Sequence, residues 1–315
     1  MNDTAITIEW QERSCPMCQK TEVARVVLES NYDPAKMTPH AFASRKLPEY
    51  MHSRMVKCAD CGLVYGTPAV SIKTMQDAYA TAAFDSSQES GFAADTYSKL
   101  IESQIRSLSE REAALDIGTG DGAFLQRLLR LKFRNVVGVE PSAAPIAAAS
   151  SEIRPLIRHG IFRAEDFEPG RFDLITCFQV LEHVPDPVGL VRDCRSLLKR
   201  GGMFVAAVHN IYAVSARVLG DKSPIFDIEH LQLFSAKTVV DLLHRSGFDR
   251  SIAHSIWNRY PLSYWLRLFP LPPKMKEVAL GAAAKSHLGA ILVPFPAGNI
   301  AAFGWKPSEN DHVHV

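Results

Sequence analysis

Short apolar segments alternate with segments of helical spacing through the middle of the chain. Apolar runs of about five residues are typical of buried strands, whereas apolar positions three and four apart indicate one face of a helix. The strand-like segments are "ALDIG", "NVVGVEPS", "PLIRHG", "FDLITCFQVLEHV", "MFVAAVHN", "RSIAHSIW" and, after an interruption, "GNIAAFGWKP". This alternation predicts an α/β fold with a doubly wound, mostly parallel sheet of seven strands.

The helices between these strands carry start and stop signals. The first is predicted to run from Ala123 to Phe133, and "AAPIAAASSEI" predicts the second. "DPVGLVRDCRSLLKRGG" has an aspartate-proline start and a double-glycine stop, and "SAKTVVDLLHRSGF" has a serine N-cap and a glycine stop. Upstream of the first strand, "SIKTMQDAYATAAFDSS" and "DTYSKLIESQIRSLSE" predict two more helices.

The pattern divides the chain into parts. We predict a module at 1–70, a helical linker or cap at 71–112, a core at 113–257 and 297–307, an inserted segment at 258–296 and a tail at 308–315. If the sixth strand is parallel to the others, the insertion hangs over the carboxyl ends of the strands, where ligands bind. Its aromatic residues Tyr260, Tyr264, Trp265 and Phe269 make it a lid or acceptor-binding segment; a packing or oligomer contact, and contact with a membrane surface, are the alternatives.

Composition adds modest limits. Hydrophobic residues make up 47% and charged residues 22% of the 315 residues, and the net charge is +1, as in ordinary globular proteins. No run of lysines and arginines stands out, so nucleic acid is not expected as a partner. The start "MNDTAITIEW" lacks a signal-peptide pattern, and "EVALGAAAKSHLGAILVPFP" is too interrupted to predict a transmembrane segment. We therefore expect a cytoplasmic protein.

Four of the six cysteines form two Cys-x-x-Cys pairs, Cys15 with Cys18 and Cys58 with Cys61. Each short turn aims two sulfurs at one ion, so the pairs predict a tetrahedral zinc site, with disulfides or a redox pair as alternatives. A site of four thiolates leaves no position for substrate, so this zinc is expected to be structural. His40 and His52 lie between the pairs as substitute ligands, and Cys177 and Cys194 are expected to be buried thiols.

The stretch "AALDIGTGDGAF" predicts a ligand site. Gly118, Gly120 and Gly122 follow a predicted strand and precede a predicted helix, and glycine permits both positive φ and close approach of a ligand. Strand-to-helix turns of this kind bind nucleotides. One interpretation is a dinucleotide fingerprint, which Gly118, Gly120 and Ala123 satisfy loosely, and hence an NAD-dependent oxidoreductase.

Two carboxylates favour a different ligand. Asp116 would repel an approaching pyrophosphate and suits a ligand with an ammonium or sulfonium group. Glu140 ends the second strand, where it can accept hydrogen bonds from a ribose diol.

With "LDIGTGDG", "VGVEPS", "FDLITCFQVLEHVPDP", "LLKRGG" and "MFVAAV", the chain resembles the class I S-adenosylmethionine-dependent methyltransferases over residues 110 to 250. The resemblance implies a Rossmann-like methyltransferase fold with S-adenosylmethionine as cofactor. It implies that the methionyl part contacts the glycine turn and the ribose contacts the end of the second strand. The implied cofactor-binding residues are Asp116, Gly118, Thr119, Gly120, Gly122, Glu140, Pro141, Phe162, Gln179 and Val180.

Methyl transfer to a hydroxyl or an acidic carbon also needs a base. The segment "FDIEHLQLFS" resembles one in sugar C-methyltransferases, which also carry an N-terminal four-cysteine zinc module. That likeness implies His230 as the base, oriented by Glu229. The chain departs from it at Asp227, where those enzymes have tyrosine, and in lacking their C-terminal domain.

Other histidines are assigned from their positions. His209, at a predicted strand end, is a second catalytic or substrate-contacting candidate, with packing as the alternative for both it and His230. His183 is expected to be structural, and His312 and His314 to be solvated.

The predicted activity is methylation of a small-molecule or glycan-type acceptor on carbon, oxygen or nitrogen, which the sequence does not distinguish. The alternative within the same fold is a modifier of protein or RNA, with the zinc module as its recognition head.

Overall fold

The N-terminal module is built from short antiparallel strands. In a computed structural model of the chain, the described residues are 8–34, 42, 50–82, 84, 86–269 and 271–308. The strands of the module are β1 (Trp10–Gln11), β2 (Val23–Leu28), β3 (Met55–Cys58), β4 (Val64–Gly66) and β5 (Ala69–Val70). β1 pairs with β5, and β2, β3 and β4 form an antiparallel sheet.

Two helices connect the module to the core, as predicted, but the second lies N-terminal to its predicted position at 95–110. They are α1 (Ile72–Thr81) and α2 (Ser87–Glu102). The Ser71 side chain caps α1 by accepting a hydrogen bond from the backbone N–H of Thr74.

The core is a sheet of seven strands, and the predicted mostly parallel architecture is confirmed. Its order is β12-β13-β10-β9-β6-β7-β8, and β13 alone runs antiparallel to its neighbours. The strands of the core are β6 (Ala113–Ile117), β7 (Asn135–Glu140), β8 (Ile157–His159), β9 (Phe172–Phe178), β10 (Leu198–His209), β12 (Arg250–Pro261) and β13 (Leu292–Trp305). Strand β11 (Gln232–Leu233) belongs to the sheet of the module instead.

Helices cover both faces of this sheet because side chains of successive strand residues point to opposite faces. Leu174 of β9 packs with residues of α2 and α3, whereas Ile175 packs with residues of α5 and α7. Tyr65 of the module packs in the same cluster as Ile175, so the module docks on the face covered by α5 and α7. The remaining helices are α3 (Ala123–Arg130), α4 (Ala143–Ala148), α5 (Pro187–Leu197), α6 (Val214–Leu219), α7 (Ala236–Arg245), α8 (Leu262–Leu268) and α9 (Pro273–Lys285).

Three predicted helix ends in the core are wrong. α3 ends at Arg130 rather than Phe133, because Lys132 adopts a φ of 71° and Phe133 turns into the core. α4 ends at Ala148, well before the end of "AAPIAAASSEI". The double glycine does not stop α5, which ends at Leu197; both glycines lie inside β10, at a shift in register between Leu198 and Met203.

Strands β12 and β13 extend into the inserted segment. Asn258 pairs with Phe295 and Tyr260 with Val293, so both ends of the segment extend β12 and β13, and α8 and α9 form a helical hairpin between them. Since β12 is parallel to β10, this hairpin lies at the edge of the sheet where the parallel strands end. None of the described helices is long and apolar enough to cross a membrane.

Gly202 is required by close backbone packing. A Cβ atom there would lie 2.9 Å from the carbonyl oxygen of Lys199 and 3.1 Å from that of Phe172. We predict that Gly202→Ala lowers the free energy of unfolding by about 1–3 kcal/mol, because neither carbonyl can move without disturbing the sheet. Urea denaturation measures the change.

Gly91→Ala is the matched control. Gly91 lies inside α2, and an added Cβ meets no described atom within 4 Å. This variant should be more stable than the original chain by about 0.5–1 kcal/mol. Equal stability of the two variants would contradict the packing argument.

Candidate active site

The glycine turn after β6 forms the floor of the candidate site. Gly118, Gly120 and Gly122 have φ values of 70°, 58° and 73°, a left-handed region that favours glycine. A Cβ atom on Gly118 would lie 2.3 Å from Cγ2 of Val180, so this close approach also requires glycine. A Cβ on Gly120 would meet no described atom within 4 Å, which leaves the space above the turn open to a ligand.

Asp116 is buried beneath this turn and held by two hydroxyls. Thr119 donates to its Oδ2 at 2.7 Å, and Thr176 donates to its Oδ1 at 2.6 Å. Burial raises the pKa of Asp116 to about 6, although both hydroxyls act in the opposite direction. A cationic ligand nearby would favour the ionised carboxylate. Sequence reasoning missed Thr176, which the parallel pairing of β6 with β9 places opposite Asp116.

Glu140 joins two loops across the site. Its Oε2 accepts the backbone N–H of Gly120 at 2.8 Å, and its Oε1 accepts that of Ser142 at 2.9 Å. Burial raises the pKa of Glu140, and these N–H groups oppose that shift. Each carboxylate oxygen can accept a further hydrogen bond. The Ser142 hydroxyl donates to the carbonyl of Tyr79, which brings α1 to the same loop.

The other predicted pocket residues lie around these loops. Gln179 has a φ of 57°, and its side chain, whose Nε2 is buried, lies beside the hydroxyl of Tyr97. Val180 lies against Gly118, while Phe162 is half-buried and stacks on Phe167 at a centroid distance of 6.2 Å. The carbonyl of Pro141 accepts a hydrogen bond from Nε2 of His159.

Three histidines from distant parts of the chain meet beside this site. The ring of His230 lies 4.8 Å from that of His183 and 5.0 Å from that of His209, measured between centroids. Nδ1 of His230 donates to the carbonyl of Ile225 at 2.8 Å, which leaves the lone pair on Nε2. Nδ1 of His209 donates to Oδ1 of Asn299 at 3.0 Å.

Glu182 ties together the segments that carry these histidines. Its Oε1 accepts the backbone N–H of His209 at 2.6 Å, and its carbonyl accepts the N–H of Leu231 at 2.8 Å. It also directly precedes His183 in the chain. Burial raises the pKa of Glu182 to about 8, so the carboxyl group is mostly neutral at pH 7.

Glu229 contacts the cluster through a tyrosine that sequence reasoning missed. The Tyr79 hydroxyl lies 2.8 Å from Nδ1 of His183 and donates to Oε2 of Glu229 at 3.1 Å. His183, Glu229 and His230 each offer one atom that could ligate a metal. These three atoms lie within 4.8 Å of one another, close enough to share a cation. Since two of these residues already share the Tyr79 hydroxyl, we interpret the group as a hydrogen-bonded network.

Burial determines the protonation of the three imidazoles. It lowers the pKa of His230 and of His209 to about 3, and that of His183 to about 4. Mutual repulsion between the charged forms of neighbouring rings lowers these pKa values further. All three rings are therefore neutral at pH 7, and that of His230 is held in one tautomer.

Aromatic residues lie beside the same edge of the sheet. Tyr97 packs on Phe178, next to Gln179, at a centroid distance of 4.2 Å. Tyr260 stacks on Tyr264 at 4.2 Å and meets the edge of Trp265 at 5.4 Å. Phe269, by contrast, is 59% exposed.

The four predicted metal ligands come together in the module. The sulfur of Cys15 lies 3.4 Å from that of Cys61, the sulfur of Cys18 lies 3.5 Å from that of Cys58, and all four are within 4.8 Å of one another. A zinc–sulfur distance of about 2.3 Å implies sulfur–sulfur distances of about 3.8 Å in a tetrahedron, so these residues fit such an ion.

The remaining predictions near the cysteines have mixed outcomes. His52 lies outside the thiol cluster, with its Nδ1 against the carbonyl of Ser53. Cys177 and Cys194 are buried free thiols, as predicted. His40, His312 and His314 lie outside the described residues.

Comparison with known families assigns the class of the protein. A family model described as a methyltransferase domain matches residues 87–250, just over half of the chain. The chain belongs to this family and is an S-adenosylmethionine-dependent methyltransferase. The glycine turn by itself was compatible with NAD or with S-adenosylmethionine. The family match assigns S-adenosylmethionine.

Curated relatives match a limited part of the chain. The ubiquinone biosynthesis O-methyltransferase of Pseudomonas aeruginosa (strain UCBPP-PA14) is 36% identical over 102 residues, covering 30% of this chain and 44% of that protein. The protein of the same name from Xanthomonas campestris pv. campestris (strain B100) is 34% identical over 108 residues, covering 32% and 45%. The chain thus spans less than half the length of these relatives.

Solved structures show more distant similarity. An S-adenosylmethionine-dependent methyltransferase from Archaeoglobus fulgidus has a TM-score of 0.48 and 16% identity, covering 70% of this chain and 98% of that one. Phosphoethanolamine N-methyltransferase 2 from Haemonchus contortus, solved with S-adenosyl-L-methionine, has a TM-score of 0.40 and 16% identity, covering 71% and 59%.

The neutral state of the three histidines is measurable by NMR on a sample with labelled imidazole rings. The ring nitrogens of His183, His209 and His230 should keep the chemical shifts of neutral imidazole between about pH 8 and about pH 5, because burial holds their pKa values near 3 to 4. In the urea-unfolded chain, the same rings should titrate near the ordinary value of about 6.5. A ring that titrates near that value in the folded protein would contradict its burial.

Proposed function

We propose that the protein transfers a methyl group from S-adenosylmethionine to a small-molecule or glycan-type acceptor, on a hydroxyl oxygen or an acidic carbon, with His230 as the base. The observation that carries this proposal is the free lone pair on Nε2 of His230, held inside a cluster of neutral histidines next to the cofactor loops. The names of the curated relatives favour O-methylation.

The residues around the glycine turn fit the cofactor. The open space above Gly120 admits it, Glu140 has lone pairs for a ribose diol, and Gln179 lines the same loops. Asp116 lies where a carboxylate would be stabilised by a cationic ligand. When bound, S-adenosylmethionine supplies a methyl group on sulfonium, activated for in-line displacement. Thr119, Gly118, Gly122, Pro141, Phe162 and Val180 complete the proposed cofactor site.

His230 accepts the acceptor's proton in this proposal. Its Nδ1–H is committed to the carbonyl of Ile225, so Nε2 is the atom that takes the proton. Glu229 bonds to the Tyr79 hydroxyl, which contacts His183, and its carboxylate lies within 4.8 Å of a ring nitrogen of His230. A negative carboxylate at that distance favours the transient imidazolium. His209 is a second residue that contacts the acceptor.

The low pKa of His230 favours an acidic acceptor group. A base whose pKa is lowered to about 3 by burial takes a proton from a phenol or enol more readily than from an alkyl alcohol. The aromatic residues Tyr97, Tyr260 and Tyr264 lie at the same edge of the sheet and suit the flat, apolar part of such an acceptor. We propose that the helical hairpin of α8 and α9 covers the acceptor as a lid.

The cysteine cluster is proposed to hold a structural zinc ion. Four thiolates would fill a tetrahedral coordination sphere, so the ion would not bind substrate. Its contribution would be to fix the two turns from which β2, β3 and β4 extend.

The acceptor class is tested by transferring labelled methyl from S-adenosylmethionine into a cell lysate fractionated by size. Label should enter the small-molecule or glycan fraction. Label confined to protein or RNA would overturn the proposal and favour a macromolecular substrate.

The base is tested by the variant His230→Ala. Methyl transfer should fall by about 10²- to 10⁴-fold, because the acceptor's proton then has no base in reach. Affinity for S-adenosylhomocysteine, measured by calorimetry, should not change. His244→Ala, an exposed histidine on α7, is the control and should retain full activity. Full activity of His230→Ala would show that His230 is not the base.

Zinc is tested by elemental analysis of the purified chain. We expect one zinc ion per chain, lost in Cys58→Ser together with about 2–4 °C or more of melting temperature. Cys194→Ser removes a buried thiol outside the cluster and should retain the metal. Metal-free protein purified in the presence of added zinc would contradict the assignment.

A further inference from the structure

The N-terminal module and the loop of His230 share one sheet. β11 begins two residues after His230 and pairs antiparallel with β4, in the register Gln232 to Tyr65 and Leu233 to Val64. The backbone N–H of Gly66 donates to the carbonyl of Leu231 at 2.8 Å, which continues the pairing toward His230. The module therefore forms part of the structure that supports the proposed base.

Arg13 of the module adds side-chain bonds to two loops at once. One guanidinium nitrogen donates to the carbonyl of Leu231 at 3.2 Å. The other donates to the carbonyl of Pro185 at 3.1 Å and to Oε1 of Gln232 at 3.3 Å. Leu231 directly follows His230, and Pro185 lies two residues after His183. The guanidinium thus joins the two segments whose histidine rings pack together.

Gln232 reinforces this connection through its side-chain amide. It is fully buried, and its Nε2 donates to the carbonyls of Leu181 and Val184. Its Oε1 is the atom that accepts from Arg13, so one side chain links the guanidinium to both ends of the segment that contains His183.

The backbone of Arg13 is itself fixed within the module. Its N–H donates to Oγ1 of Thr67 at 3.1 Å, and that hydroxyl contacts the carbonyl of Arg13 and a carboxylate oxygen of Glu12. Arg13 also lies two residues before Cys15, which is fully buried in the thiol cluster. The position of the guanidinium is therefore coupled to the folding of the module.

We propose that Arg13 is a positioning residue, which holds the loops of His183 and His230 in the arrangement that brings their rings together. The inference rests on the proposed function, since that function assigns His230 as the base. Arginine suits the role because its planar guanidinium reaches three oxygen acceptors, whereas the single nitrogen of lysine does not span both loops in the same geometry. The module thereby contributes to the chemistry through the loops and without contacting the acceptor.

The test compares Arg13→Met with Lys20→Met in the full-length chain, using measurements that need no acceptor. Lys20 is a module cation whose partner is Asp60, away from both loops, so it is the matched control. We measure hydrogen exchange of the backbone at 181–185 and 225–234, the NMR signals of the labelled histidine rings, affinity for S-adenosylhomocysteine, and zinc content.

In Arg13→Met, exchange in the two loops should accelerate by about tenfold or more, because hydrogen bonds to a charged donor are lost. The signals of His183 and His230 should shift, while zinc content and affinity for S-adenosylhomocysteine remain those of the original chain. Lys20→Met should match the original chain in every measurement. Unchanged exchange and unchanged histidine signals in Arg13→Met would overturn the proposal.

Arg13→Lys keeps the charge and one donor, and it serves if Arg13→Met does not fold. If both variants fold, the rate of hydrogen exchange in the two loops of Arg13→Lys should lie between the rates of the original chain and of Arg13→Met. If only Arg13→Lys folds, its exchange rate should exceed that of the original chain. Exchange equal to that of the original chain would overturn the proposal.

Where a labelled acceptor is found, kcat should fall with KM little changed. Hydrogen exchange, histidine signals, cofactor affinity and zinc content do not depend on methyl transfer. If His230 is not the base, these measurements would still give the expected results, so failure of the proposed function can be told apart from failure of the role of Arg13.

Discussion

The candidate site depends on the bonds that Glu182 makes to three separate segments of the chain. Its carboxyl group accepts from the backbone of His209, its carbonyl accepts from the backbone of Leu231, and it directly precedes His183. Burial keeps this carboxyl group mostly neutral, so it brings the segments together without introducing a charge next to three uncharged imidazoles. Their close packing is possible because each ring is neutral and none is the charged imidazolium, which its neighbours would repel.

Around this centre, the two ends of the site differ in chemistry. At the cofactor end, Asp116 and Glu140 are held by hydroxyl and backbone donors, which fixes their positions before any ligand arrives. At the proposed acceptor end, the three imidazoles are neutral, Glu229 lies beside them and the walls are aromatic. A preorganised carboxylate end suits a cationic cofactor, and aromatic walls exclude water from the transferred methyl group.

The N-terminal module is integrated into this arrangement. Its sheet takes its edge strand, β11, from the core, and its buried residues pack in the same cluster as those of α5 and α7. A module connected in this way differs from an independent recognition head, because its strand β4 and its Arg13 bond directly to the loop of His230. Helix α1 makes a comparable connection through Tyr79, whose hydroxyl bonds to the histidine network and whose carbonyl bonds to Ser142 beside Glu140.

The sequence alone determined the features that depend on residues close together in the chain. The strands of the sheet follow from short apolar runs, the glycine turn from glycines between a strand and a helix, and the two cysteine knuckles from their spacing. Tertiary structure decided the rest, because it depends on contacts between distant segments. α5 ends at Leu197 because Leu198 pairs with Phe172 of β9, a residue distant in the chain. The meeting of His183, His209 and His230, with Tyr79 and Arg13 around them, required strands and loops that lie far apart in the chain to end at one edge of the sheet.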